Sequence, residues 1–138
     1  MKMNCLMACA LSWLLGAVAA PALGMDRWAA LSMIESGNND AAIGRAGEVS
    51  RYQILPRLWQ KYGGPGSRFA RTNPRIALGV ARAIMSGRCA DFARQFHRAP
   101  TDFEYYVLWN APAQIYLPGP VVANRAKRFC RLVGPFPE

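Results

Sequence analysis

Apolar side chains in this sequence recur every third or fourth residue, and nowhere do they alternate with polar ones over the length of a strand. Trp28, Leu31 and Ile34 share one helical face, Ile76, Val80 and Ile84 a second, and Val122, Ala126, Phe129 and Val133 a third. That spacing predicts a mainly α class. Breakers and caps divide the chain further. A first helix is expected to end at Glu35, with Gly37 just beyond it as the stop, and a second to begin near Ser50 or Pro56 and to end at Gly63–Gly66. Asn73-Pro74 is a cap and first-turn pair for a third helix that stops at Gly87, followed after Cys89 by a short helix through Phe92 and Phe96. Thr101 and Glu104 have capping-box spacing for a helix reaching Trp109, and Val121–Val133 is the last, amphipathic and basic. Between these, Asn38–Val49 reads as a loop or short irregular hairpin, and the proline-rich stretch after Ala111 as a surface connection.

The chain has 138 residues, 52% hydrophobic and 18% charged, enough for one compact domain with one core. Its start has a different character. Lys2, an apolar run from Cys5 to Ala20 and small residues after it form the three-part pattern of a secretory signal peptide. The expected division is a signal peptide over 1–24 and a domain over 25–138, cleavage after Ala19 or Ala22 fitting nearly as well as after Gly24. The run is short of the ~20 residues a membrane span needs, so no stable span is expected after cleavage, and the protein is expected to be exported to the periplasm or beyond the cell. Removal of Cys5 and Cys9 leaves Cys89 and Cys130. In an oxidising compartment these two read as a disulfide closing a loop of about 40 residues, worth ~4 kcal/mol, with two separate buried thiols as the alternative.

A net charge of +9 points to a polyanionic partner: nucleic acid, an anionic membrane surface or an acidic wall polymer. Several chemistries are excluded. One histidine, His97, leaves no usual zinc site and little for Ser-His or Cys-His catalysis, and the GGPG glycines lack the spacing and Lys-Ser/Thr ending of a phosphate loop. Catalysis would therefore run on carboxylates, eight in all. Glu35 stands out among them. A carboxyl set against apolar side chains keeps its proton at higher pH, because desolvation disfavours its charged form, and glycoside cleavage needs such an acid.

Glu35-Ser36 is followed by Ala42-Ile43-Gly44 and by Gly47-Glu48-Val49-Ser50-Arg51-Tyr52-Gln53-Ile54-Leu55-Pro56, and later by Trp109-Asn110-Ala111. In order and spacing these motifs resemble the bacterial lytic transglycosylase domain of the lysozyme-like superfamily. There, a Glu-Ser pair precedes A-x-S-x-x-G-A-x-G-L-M-Q-x-M-P and then an aromatic-Asn-Ala-Gly motif. The resemblance implies a small lysozyme-like helical domain with a glycine-rich active-site loop or short hairpin, cleaving peptidoglycan strands as a monomer, without metal or organic cofactor and without nucleic acid as a partner. It also implies Glu35 as the catalytic acid/base, Gln53 as a cleft-facing glutamine and Asn110 as a brace, with Ser50, Tyr52 and Trp109 on the substrate, the aromatic pair stacking on sugar faces.

The departures are Gly44 at a serine position, Glu48 at an alanine, Ser50 at a glycine, Trp109 at a tyrosine and Pro112 at the final glycine. Glu48 is five residues before Gln53, the spacing of a second carboxylate in egg-white-type lysozymes. It is expected either to share in catalysis or to form a loop salt bridge with Arg45 or Arg51. Asp40, in an Asn-Asn-Asp turn, is the weaker candidate. The same features leave two other readings open: a catalytically idle peptidoglycan-binding or envelope-assembly module, and a basic membrane-surface protein built on the last helix.

Overall fold

The computed structural model of the protein describes residues 24–134, so the signal-peptide reading lies outside the described residues except at its last position. The described chain is mainly α: six α-helices, α1 Arg27–Ser36, α2 Pro56–Lys61, α3 Arg68–Thr72, α4 Pro74–Phe96, α5 Asp102–Asn110 and α6 Pro120–Val133, with one 3-10 turn at Pro112–Gln114. The only β pairing among the described residues is two isolated bridges, Ile43 with Val49 and Val49 with Ile54.

The helix ends follow local chemistry. The Asp26 carboxylate accepts the N–H groups of Trp28 and Ala29 at 2.8 and 3.1 Å, and Gly37, at φ 65°, closes α1 in the left-handed conformation. Asn73 accepts from Arg75 and Ile76 ahead of Pro74. Thr101 and Glu104 form the reciprocal capping box, with Glu104 Oε2 2.9 Å from the Thr101 N–H. Ser67 caps α3, a helix the sequence reading did not anticipate.

The expected stop at Gly87 is corrected: α4 runs unbroken for 23 residues, through Gly87 and Cys89 to Phe96. A glycine ends a helix only where the chain needs a left-handed turn, and here that turn falls at His97, φ 55°. What carries the helix across Gly87 is a buried face that continues from Ala77 through Ile84 and Met85 to Phe92. Arg88 adds an anchor, its Nη1 donating to the Leu108 and Trp109 carbonyls at the end of α5, both at 2.7 Å.

The core gathers where α5 packs on α6 and α1 packs on α6. Phe129 of α6 stacks on Tyr105 and tilts against Tyr106, and Leu31, Ile84, Val107 and Trp59 are fully enclosed around them. Arg27 donates to Asp102 at 2.7 Å, tying the start of α1 to the start of α5. The expected Cys89–Cys130 bond is not formed. Both are free, half-buried thiols, and burial is the main cause raising each above its ordinary pKa.

Candidate active site

The 19 residues between α1 and α2 form one wall of the site, with Gly44, Arg45, Glu48 and Gln53 among them, and their shape follows from two turns. In the first, the Gly47 N–H donates to the Gly44 carbonyl at 3.1 Å and the Gly44 N–H to the Glu48 carbonyl at 2.9 Å. Gly47, at φ 81°, supplies the left-handed residue this turn requires. In the second, Val49 and Ile54 exchange both backbone hydrogen bonds at 2.9 Å, with Ser50 at φ 68° and Gln53 at φ 49° bending the chain between them. The loop is fastened to α1 by the Ser36 hydroxyl, which donates to the Arg51 carbonyl at 2.8 Å. A two-pronged Arg51–Asp40 pair at 2.6 and 2.8 Å locks its middle.

Those two positive-φ residues decide which side chains face where. Tyr52 turns inward, 4% exposed, edge-on to Trp28 and Trp109, with ring centroids 6.0 and 6.3 Å away. Its expected role on a sugar face is therefore corrected: it is part of the core. Ser50 is corrected for the same reason, being 2% exposed, with its hydroxyl accepting from the Tyr52 N–H. Gln53 points the other way, into a cleft of about 450 Å³, and its Nε2 donates to the Ser50 carbonyl at 3.1 Å.

Glu35, Glu48, Gln53, Trp109 and Asn110 all line that cleft. The Glu35 side chain is only 6% exposed. Its Oε1 accepts from the Tyr106 hydroxyl at 2.7 Å, and its Oε2 stands 3.7 Å from Arg125 Nη1 of α6. Burial raises the Glu35 pKa above the usual carboxylate value. The Tyr106 hydrogen bond, the charge of Arg125 and the nearby Asn110 amide pull against that rise, and the Glu48 charge adds to it. In the other direction, burial and the neighbouring Glu35 carboxylate drive the Tyr106 hydroxyl far above its ordinary range, so it acts as a fixed donor.

Glu48 and Glu35 thus line one cleft, and the Glu48 charge acts on Glu35. The expected Glu48 loop salt bridge with Arg45 or Arg51 is corrected: Arg51 belongs to Asp40, and no ion pair joins Glu48 to Arg45 among the described residues. Glu48 Oε2 instead accepts the Ala46 N–H at 2.9 Å, bracing the turn. The Glu48 and Gln53 side-chain ends lie over Gly44, so a Cβ there would push both aside. Trp109 reaches the cleft wall but is 8% exposed, so little of its ring is open to a ligand and the expected stacking platform is corrected to a wall residue.

The sequence reading missed Tyr106 and Arg125, which face the two Glu35 oxygens, and three further arginines at the cleft, Arg45, Arg57 and Arg88. Tyr106 was legible only as an apolar helix residue, and Arg125 only as the wet face of a basic helix. Among the described residues, no three His, Cys, Asp or Glu side chains converge as a metal site requires, and no helix is long and apolar enough to cross a membrane. Comparison of the chain with family models, with curated proteins and with solved structures found no match.

Proposed function

We propose that this chain is an exported cell-wall glycosidase with a lysozyme-like fold that cuts the β-1,4 bond between the amino sugars of peptidoglycan. The observation that carries the reading is Glu35: a carboxyl buried at the inner wall of a polar, loop-built cleft, favouring its protonated form and held in one orientation by the Tyr106 hydroxyl. A general acid must combine those properties to protonate a glycosidic oxygen near neutral pH.

In this mechanism Glu35 gives its proton to the oxygen that leaves. The carboxylate so formed is stabilised by the Tyr106 hydrogen bond, the Arg125 charge and the nearby Asn110 amide, which leave it placed to take a proton back. When that proton comes from the 6-hydroxyl of the cleaved sugar, the oxygen closes on the anomeric carbon and the product is a 1,6-anhydro sugar. We favour this outcome, on the order of motifs along the chain. Hydrolysis is the second reading, favoured by Glu48, a second carboxylate in the same cleft whose charge reaches Glu35.

Mass spectrometry of fragments released from purified peptidoglycan tests activity and product together. Anhydro ends are expected, reducing ends would move the assignment to hydrolysis, and release no faster than from the Glu35→Gln protein would remove the enzymatic reading and leave a binding module.

A further inference from the structure

The cleft carries more positive charge than its chemistry uses. Four arginines line it, Arg45, Arg57, Arg88 and Arg125, against the two carboxyls of Glu35 and Glu48. Two of the four have duties inside the protein: Arg125 faces Glu35, and Arg88 is spent on the α5 carbonyls. Arg45 and Arg57 have no hydrogen-bond or ion-pair partner among the described residues, and both are exposed. The Arg57 charge moreover reaches Arg88, adding to the lowering that burial gives the Arg88 pKa.

Their backbones are fixed. Arg45 stands at the corner of the turn that the Glu48 carboxylate braces through the Ala46 N–H. Arg57 is the second residue of α2. The two elements adjoin, since a Cβ on Gly47 would stand 3.7 Å from the Pro56 ring. Two unpaired guanidinium groups thus line the cleft from adjoining elements, each with a planar fork of donors that suits a carboxylate. A neutral sugar chain would leave both without a counter-charge in a site whose walls concentrate their field.

We infer that Arg45 and Arg57 are specificity-determining residues that bind carboxylates carried by the glycan, so that the cleft selects an acidic, carboxylate-bearing strand over a neutral one. The inference rests on the reading of the cleft as a glycan site but not on turnover. Glu35 and Gln53 handle the sugar bond, while the arginines grip the acidic substituents beside it.

The test is co-sedimentation of the Glu35→Gln protein with insoluble peptidoglycan, which reads binding without cleavage. Adding Arg45→Gln and Arg57→Gln together should weaken binding by about tenfold. Converting the glycan carboxylates to neutral amides with carbodiimide and glycinamide should weaken binding of the parent protein to the same degree and abolish the difference between the two proteins. A double change on the outer face of α6, Lys127→Gln with Arg128→Gln, removes equal charge from exposed positions away from the cleft and should cost much less. The inference falls if the α6 pair weakens binding as much as the cleft pair, because bulk charge would then explain it. It falls equally if amidated glycan binds as well as untreated glycan, or if only stripping phosphodiester-linked polymers with hydrofluoric acid reduces binding. Loss of the arginine effect with lytic activity intact rejects this inference alone; binding of this pattern without lytic activity in the wild-type chain rejects the enzymatic reading alone.

Discussion

Replacing Glu35 with glutamine separates its chemical role from its structural one, because the surroundings allow both costs to be worked out. The amide oxygen can still accept from the Tyr106 hydroxyl, now 2.7 Å from Oε1, so that bond is kept. The attraction to Arg125 across 3.7 Å is lost, but the arginine side chain is 40% exposed and solvent screens the pair to at most about 1 kcal/mol. Relief from burying a carboxylate acts in the opposite sense. The net change should lie within about 1 kcal/mol, or about 5 °C in Tm for a domain of this size. On the proposed mechanism activity should fall far more, since loss of a positioned general acid removes about 10²- to 10⁴-fold.

The pH dependence has a fixed sign. Glu35 has its pKa raised above 4.5 in the fold, so its contribution to stability is fully present below 4.5 and is lost as pH rises through the raised value. The Glu35→Gln protein should therefore gain on the wild type at neutral pH and lose that gain on acidification. Turbidity clearing of peptidoglycan gives the activity, and thermal melts at pH 4 and 7 give the stability. A folded Glu35→Gln protein that clears peptidoglycan at the wild-type rate would refute the reasoning.

Arg125→Leu removes a charge that lowers the Glu35 pKa, so the alkaline limb of the pH–rate profile should move to higher pH; an unmoved limb would show that the pair is electrostatically idle. Glu104, held near a pKa of about 2 chiefly by the Arg98 guanidinium, adds stability above 4.5 that fades as pH falls through about 2. Glu104→Gln keeps the capping box, since glutamine also serves at that position, but loses the Arg98 attraction, so wild type should be the more stable at neutral pH, with the two converging in melts near pH 2. Thiol titration of the unreduced protein should find both Cys89 and Cys130, reacting slowly near neutral pH because burial holds them protonated; finding neither would restore the disulfide.

What the sequence made legible was local. Asn73-Pro74, the Thr101–Glu104 box and Gly37 each satisfy helix ends through residues one to four positions away, so their meaning could be read without the fold. Gly87 misled because a glycine marks a helix end only when tertiary packing lets the helix end, and the buried face of α4 did not. In the candidate site, Glu35, Gln53 and Asn110 came from motif order and Glu48 from its spacing to Gln53, and all four line one cleft. Tyr52 and Ser50 were misplaced because the direction of each depends on positive φ at Ser50 and Gln53, a property of the closed turn that no alternation pattern records. Tyr106 and Arg125 were beyond reach, being 71 and 90 residues from the carboxyl they serve.

The Met25 N–H donates to the Leu132 carbonyl at 2.8 Å, beside the place where α1 lies on α6. The described chain therefore leaves from where it arrives, and a short bridge between its two ends should strain nothing. New ends could then be opened in an exposed connection such as Gly63–Gly66, giving a circularly permuted protein with the cleft unchanged. Tension applied at the two ends would meet this clasp of first residues on last helix before any force reached α4 or the loop that carries Glu48.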